Sequence, residues 1–327
     1  MTKRPVTSSE AAGSEVTSTE LAAAQVDGVL ALAQAAAAAD GVAPLSEHVL
    51  LHLRYDRAGA GTGQGDGTEA GAGGSRDVVL TVDGEIAGYS HLDRQQTEAS
   101  GELVVHPGHR GRGLGRTLAG ELITAAAGRV LRIWAHGDQP AATRLAAAAG
   151  FERFRALWQM RRPLRDRLDA PAFPAGRTLR TFVRGQDEDE WLDLNSRAFA
   201  KHPEQGSWTR HDLEVREREP WFDPGGFFIA ERDGAMAGFH WTKVHPAGEQ
   251  DDSGQAIGEV YVVGVDPAEQ GSGLGRALTL AGLAHLRDAG LAEVMLYVDE
   301  DNVPAIRLYE ALGFTRTRTD AMYERKP

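Results

Sequence analysis

The sequence predicts an α/β (α+β) chain made of two copies of one domain in tandem. Three observations carry that reading. A glycine-rich turn occurs twice, as His106-Pro107-Gly108-His109-Arg110-Gly111-Arg112-Gly113-Leu114-Gly115-Arg116 and as Asp266-Pro267-Ala268-Glu269-Gln270-Gly271-Ser272-Gly273-Leu274-Gly275-Arg276. Each copy fits (Arg/Gln)-x-x-Gly-x-Gly and lies between an apolar run of strand type and one of helical type. The landmarks also keep register: Asp83-Gly84 and Asp233-Gly234 differ by 150, His106-Pro107 and Asp266-Pro267 by 160, and Gly150-Phe151 and Gly313-Phe314 by 163. The offset grows only in stretches that read as loops, chiefly His245–Ala256, as a duplication requires.

The elements follow in order. Residues 1–18 are polar, lack an apolar signal core and read as a disordered tail. Leu21–Ala39 is Ala-rich, but Gln25, Asp27 and Gln34 interrupt it, so it reads as a helix closed near Asp40-Gly41 rather than a membrane span. Arg57–Ser75 is Gly-rich and reads as a flexible loop. Strands follow at Val78–Val82, Ile86–Leu92 and Gly101–Val105, then a helix over Leu114–Ala127, a strand at Val130–Ala135 and a helix over Ala141–Ala149 closed by Gly150. Arg161–Gly176, with four Arg and three Pro, reads as a linker between domains at 19–160 and 177–327. The second copy repeats the order: helix Trp191–Ala200, hairpin Phe227–Ala230 and Met236–Lys243, strand Glu259–Val265, helix Leu274–Ala289, strand Glu293–Val298 and helix Ala305–Leu312.

Composition sets bounds. The 327 residues suffice for two cores, and 42% of them are hydrophobic. A formal charge of -12 argues against a nucleic-acid partner, whose phosphates it would repel. With no cysteine there is no disulfide framework and no thiol catalysis, in keeping with a reducing cytoplasm. The expectation is a cytoplasmic monomer acting on a small molecule, with no membrane partner.

The glycine turn has a physical use. The first N–H groups of a helix have no partners within it, and its dipole makes that end partly positive. An anion docks there when side chains stay clear, as Gly271, Gly273 and Gly275 allow, and Arg276 adds charge. The pattern is not Gly-x-x-x-x-Gly-Lys-Ser/Thr, and no acidic ribose partner follows it, so neither a nucleotide-hydrolase loop nor a dinucleotide site fits.

Strand, glycine turn, helix, strand, and then Asn302-Val303-Pro304-Ala305-Ile306-Arg307-Leu308-Tyr309-Glu310-Ala311-Leu312-Gly313-Phe314 resembles the GCN5-related N-acetyltransferases (GNAT). The resemblance covers nearly the whole chain past the tail. It implies two tandem GNAT domains, each a mixed, mostly antiparallel central sheet flanked by helices. It implies that acetyl-CoA is held by Val263, Gly264 and Val265, by Gln270, Gly271, Ser272, Gly273, Leu274, Gly275 and Arg276, and by Asn302, Val303, Pro304, Ala305, Ile306 and Arg307. A second molecule in the first half would meet Leu103, Val104, Val105, Gly111, Arg112, Gly113, Leu114, Gly115 and Arg116.

Amine acetylation needs a base for the amine, donors for the oxyanion and an acid for the leaving thiolate. Glu259 opens the strand to the glycine turn, and 259, 261, 263 and 265 are expected to share one face, so it is the candidate base. Tyr309, at the position of the general acid in many relatives, is the candidate acid. By the same offsets Glu259 corresponds to Ala99, Asn302 to Gln139 and Tyr309 to Ala146, and Glu102 is expected to face the other way. The second half is therefore the expected catalyst and the first a degenerate fold-mate that can still hold acetyl-CoA.

A narrower resemblance rests on His202-Pro203-Glu204-Gln205-Gly206, Trp221-Phe222-Asp223-Pro224, Phe239-His240-Trp241-Thr242-Lys243-Val244-His245-Pro246 and Gly258-Glu259-Val260-Tyr261-Val262. It is to a branch of the family in actinobacteria that acetylates the cysteinyl amine of cysteinyl-glucosaminyl-inositol, the last step of mycothiol synthesis. It implies substrate contacts by Glu47, Glu204, Lys243, Glu259 and Tyr297. Ser46-Glu47 also reads as an ordinary helix cap with an acid in the first turn. His202 and His240 have no partners at ligand spacing, and the reaction needs no metal. Trp191, Trp208, Trp221 and Trp241 read as core or pocket wall. Other readings remain open at this point: acetylation of another small amine, such as an antibiotic, polyamine or peptide N-terminus, or a non-catalytic acyl-CoA-binding regulator.

Overall fold

The computed structural model describes residues 15–57, 74–248 and 254–327, without the side chains of Arg57, Pro203 and Glu204. Most of the expected loop Arg57–Ser75, and residues 1–14 of the expected tail, lie outside the described residues. Two compact units emerge: Met1–Leu157 with Thr319–Pro327, and Trp158–Arg318.

In the first unit β1 (Val16–Glu20) leads to α1 (Val26–Asp40), which Gly41 closes at φ 64°, and to α2 (Glu47–Leu51), which widens into a further turn at His52–Arg57. Then come β2 (Gly74–Val82), β3 (Glu85–Arg94), β4 (Glu98–Val105), α3 (Leu114–Ala126), β5 (Val130–Ala135) and α4 (Pro140–Ala148). β6 (Glu152–Pro163) begins in the first unit and ends in the second. The second unit holds β7 (Arg177–Thr181), α5 (Glu188–Ala198), α6 (Pro203–Gly206), α7 (Arg210–Arg216), β8 (Phe227–Arg232) and β9 (Ala235–His245). It continues through β10 (Ile257–Val265), α8 (Leu274–Asp288), β11 (Glu293–Asp299) and α9 (Val303–Ala311), and β12 (Thr315–Arg325) then returns to the first unit.

The pairing is the same in both units. β1 to β4 pair antiparallel in sequence, as do β7 to β10. One parallel pair follows in each, β4 with β5 and β10 with β11. The hairpins turn on Asp83-Gly84 and Asp233-Gly234, all four residues at positive φ, the geometry that matches strand twist in a two-residue loop. In the second unit α8 packs on one face of the sheet: a Cβ at Gly258 would stand 3.0 Å from Leu286, and one at Gly238 would stand 2.9 Å from Leu278. The other face carries an aromatic core of Trp191, Phe227, Phe239 and Trp241, all fully buried.

The structure departs from the sequence reading at several elements. Residues 16–18, expected in the tail, form β1, because Val16–Glu20 finds the open edge of β2. The first three residues of the expected linker belong to β6, and the strands β6, β7 and β12 were not foreseen. β12 begins Thr-Arg-Thr-Arg-Thr-Asp, so its strand character lies in alternating Thr rather than in an apolar run. Domains drawn by chain order at 19–160 and 177–327 also differ from the compact units, because the chain's last nine residues, 319–327, complete the first one.

Those residues pair antiparallel with β5, Ala321 opposite Ala135 and Tyr323 opposite Ile133. Ala321, Met322 and Tyr323 are buried there. Burial of Met and Tyr side chains contributes about 1.5–3 kcal/mol each. Truncation after Arg318 is therefore expected to destabilise the N-terminal unit rather than the unit it is cut from. Hydrogen exchange should show lost protection across Val130–Ala135 while α8 stays protected; the reverse pattern would disprove the assignment.

Candidate active site

In the second unit β10 and β11 pair only at Gly258–Val260 with Val294–Leu296. β10 continues to Val265 against β9 and β11 continues to Asp299, so the two parallel strands part beyond Val260 and leave a gap between them. A register shift between Val260 and Val262 puts a bulge at Tyr261 where the strands diverge. Main-chain groups of Val262–Val265 on that side have no β11 strand partner and can take a ligand's amides and carbonyl.

The bulge reverses the alternation and corrects the expected face. Glu259 lies opposite Lys243 and Val262 opposite Trp241, both on the aromatic face, whereas Val263 lies opposite His240 and Val265 opposite Gly238, on the α8 face. Residues 259 and 261 thus do not share a face with 263 and 265.

At the end of β10 the glycine turn leads into α8. Gly271 has φ 77° and Gly273, the N-cap, φ 89°; a Cβ on either would meet nothing within 4 Å, so the approach to the helix start is clear. No side chain caps Gly273 among the described residues. Arg276, in the first turn, is held 2.8 Å from Asp169. A helix start left this clear has the geometry that an anion cradle requires. Asn302 caps α9 through its side-chain oxygen, which accepts from Ala305 N at 3.2 Å.

Lys243, Glu259 and Tyr297 meet on the aromatic face. Glu259 is buried, directly across from Lys243 and beside Met295 in parallel register, with Tyr297 two residues further along β11. Glu259 Oε2 lies 2.6 Å from His245 Nε2. Lys243 Nζ sits 4.6 Å above the Trp221 ring and 5.3 Å from that of Tyr261. Arg216 donates to the Tyr261 hydroxyl at 2.8 Å and stacks on Trp208, and Gln159 donates to the Tyr297 hydroxyl at 2.9 Å. Trp191 and Trp241 are core, while Trp208 and Trp221 line this face, so both expected roles of the tryptophans occur. The sequence reading passed over His245, although two residues from Lys243 on a strand is the same face and a diagonal neighbour of Glu259.

Tyr309 comes from the other side of the sheet. It packs with Phe314 and the cluster of Val260, Leu283, Leu296 and Ile306 beside α8. Loss of solvent pushes its phenol up to about 12, so it holds its proton at neutral pH and can deliver it. Glu47 stands in the first turn of α2 in the first unit, with Ser46 as its N-cap. Glu204 lies in α6, its side chain outside the described residues. His240 is buried against α8, its Nδ1 2.8 Å from the Leu278 carbonyl, and burial lowers its pKa to about 4.

The first unit repeats the opening with different contents. β4 and β5 pair only over Glu98–Gly101 with Val130–Ile133 and then part around a cavity of about 350 Å³. Leu103, Val104, Val105, Gly111, Gly113, Leu114 and Gly115 line it as expected; Arg112 and Arg116 do not. Arg110, the counterpart of Gln270, is clamped by both oxygens of Asp40 at 2.6 and 2.7 Å. β4 has no bulge, so both cross-strand partners equate Glu259 with Ser100 rather than Ala99. Glu102 then shares the equivalent face, contrary to expectation. It is buried, accepts from Ser46 N at 2.7 Å and faces His136 at 3.8 Å. Burial opposes its charge, but His136 and Ser46 outweigh that and hold it below the usual carboxylate range. Burial likewise opposes the charge on His136, and Asp320 and Glu102 lift it to about 10. A carboxylate so committed is a poor base.

The Acetyltransferase (GNAT) family pattern matches residues 55–151 and again 189–314. The chain belongs to that family. It is an N-acetyltransferase with two tandem domains. The mycothiol acetyltransferase of Thermobispora bispora is 60% identical over 91% of this chain and 95% of its own, and that of Thermomonospora curvata is 57% identical over 93% and 94%. A solved GCN5-related N-acetyltransferase from Sphaerobacter thermophilus superposes with a TM-score of 0.64 at 26% identity, covering 95% of both chains. A tandem GNAT protein of the clavulanic acid pathway shares the fold, with a TM-score of 0.68 at 24% identity over 95% of this chain and 98% of that one. No helix among the described residues is long and apolar enough to cross a membrane.

Glu259→Gln and Tyr309→Phe should each lower kcat by about 10²–10⁴-fold with coenzyme affinity little changed; normal turnover by either variant would remove that residue from the chemistry. The His136 cluster gives a pH expectation. With its pKa raised from 6.5 to about 10, His136 contributes stability fully below 6.5 and loses it as pH rises towards 10. Thermal unfolding of the first unit should fall across that range in the wild type. It should be lower but flatter in His136→Gln; equal slopes would exclude the linkage.

Proposed function

We propose that this enzyme transfers the acetyl group of acetyl-CoA to the cysteinyl amine of cysteinyl-glucosaminyl-inositol, giving mycothiol, and that the second unit carries the reaction. The observation that carries this reading is the set Lys243, Glu259 and Tyr297 on one face beside the β10–β11 gap, in a chain 60% identical to a mycothiol acetyltransferase. The coenzyme diphosphate would rest on the start of α8 at Gln270–Arg276, with Asn302–Arg307 along its pantetheine arm. The main chain around Val263 and Val265 would hold the thioester in the gap.

The amine approaches from the Glu259 face. Glu259, braced by His245, takes the proton that the amine must lose, a modest task for a group of pKa about 7.7–8.0. The nitrogen attacks the acetyl carbon, and the carbonyl oxygen collects negative charge against the β10 amides. The C–S bond then breaks, and Tyr309 gives its proton to the thiolate on the opposite face. Lys243 and Tyr297 present polar groups to the sugar and inositol hydroxyls, with Trp221 and Tyr261 as flat apolar walls for the rings. Glu47 and Glu204 complete the substrate contacts in this reading. The first unit's cavity would hold a second acetyl-CoA without turning it over. The enzyme would work as a cytoplasmic monomer.

The test mixes purified protein, acetyl-CoA and cysteinyl-glucosaminyl-inositol and follows release of the coenzyme thiol. Rapid release with this acceptor and little with polyamines or peptide N-termini is the expected result. The opposite preference would replace this acceptor while leaving the acetyltransferase assignment in place.

A further inference from the structure

Outside both openings the first unit holds a buried polar cluster. α2 contributes His48, and β3 contributes His91 and Asp93. His91 is 2% exposed. Its Nδ1 lies 2.8 Å from Asp77 Oδ1, and Asp77 is fully engaged: the Tyr89 hydroxyl donates to the same oxygen at 2.6 Å, and His52 Nε2 lies 3.1 Å from the other. The opposite ring nitrogen is different. His91 Nε2 is buried 3.0 Å from Asp93 Oδ2, yet it makes no aligned hydrogen bond among the described residues. His48 Nε2 reaches the same Asp93 oxygen at 2.8 Å, and the three ligand atoms lie within 4.8 Å of one another.

The approach of His91 Nε2 to Asp93 is short yet unaligned, as for ligands that aim at a common point, whereas His48 and Asp93 hydrogen-bond directly. Two tetrahedral ligands about 2 Å from an ion are roughly 3.3 Å apart; Asp93 stands 3.0 Å from His91 and 2.8 Å from His48, so these atoms need to part only slightly to admit one. Asp77 supplies the outer carboxylate that characteristically orients a metal-bound histidine: it holds Nδ1, and Nε2 is the nitrogen on the side of His48 and Asp93. His48 and Asp93 are solvent-accessible, with side chains 57% and 36% exposed, so the cluster has an entrance. Two imidazoles and one carboxylate suit a late first-row divalent cation and not magnesium or calcium, which prefer all-oxygen sets.

We propose that His48, His91 and Asp93 bind a divalent transition-metal ion, with Zn²⁺ as the reference ion. The ion stands apart from acetyl transfer. It joins α2 to β3 and so fixes the helix turn that carries Glu47, a residue whose substrate role rests on the function proposed above.

The test uses untagged full-length protein stripped with a chelator and titrated with Zn²⁺ against a chromophoric competitor, so its readout does not depend on activity. One ion per chain is expected, with a rise in the unfolding temperature. His48→Ala and Asp93→Asn, at the exposed side of the cluster, should keep the fold by circular dichroism and each weaken binding by at least about tenfold, the low end for disturbing a metal site's surroundings. Addition of Co²⁺ should give a visible d–d band that both variants lose. Absence of saturable uptake would overturn the proposal. Uptake unchanged in both variants but abolished by His109→Ala would do so equally, by placing the ion at the His106–His109 pair on the first glycine turn.

Discussion

Everything in the second unit depends on two parallel strands that stop pairing after three residues. A parallel ladder is ordinarily covered on both sides and continuous. Here the bulge at Tyr261 adds a residue to β10 just past the last pair with β11, and the added twist carries the strands apart. The cost is a stretch of main chain with hydrogen-bonding groups on one side left unmatched by the sheet. Water can meet those groups, and so can something extended and amide-bearing that enters the gap, as a pantetheine arm would in the function proposed above. The glycine turn and bare start of α8 follow directly on β10, where the proposed function would place the coenzyme's charge.

The same opening recurs in the first unit with different side chains, and the contrast separates what the two units share from what they do not. Splayed strands, glycine turn and crossover helix appear in both. What differs is how the acidic group is used. Glu259 is tied to one histidine beside an aromatic wall, whereas Glu102 is locked between a main-chain amide and a histidine that Asp320 keeps charged. On α4 the counterpart of Tyr309 is Ala146, and the phenol in that cavity is Tyr323, which comes from β12 and sits 3.0 Å from the Thr143 hydroxyl. The first unit keeps the splayed strands and a cavity between them and has its ionisable groups committed to one another.

Much of this was legible in the sequence, for specific reasons. Glycine turns, Asp-Gly hairpins and helix-closing glycines are local, so Gly271, Asp233-Gly234 and Gly313 announce themselves. Glu259 and Tyr309 stand out by their spacing from those landmarks, and their roles belong to the proposed function. A bulge leaves no such mark: Tyr261 sits in an unbroken apolar run, and a single inserted residue inverted the faces of 263 and 265 and shifted the counterpart of Glu259 from Ala99 to Ser100. β12 escaped for a different reason. Its partner β5 lies almost two hundred residues earlier, and nothing near Thr315 records which unit its far end will complete.

The division of the sheet's two faces argues for direct transfer. Glu259 and His245 lie on the aromatic face, and Tyr309 lies with α8 and α9 on the other. In the proposed reaction the amine approaches one side of the thioester carbonyl and sulfur departs from another, so a base and an acid on opposite faces of the sheet would each meet one of them. Relay through a protein nucleophile would instead need a reactive side chain on the strand that flanks the acyl group. β10 presents Val262, Val263, Gly264 and Val265 there, and the chain contains no cysteine. In that reading a thioester seated in the gap would lie between Glu259 and Tyr309.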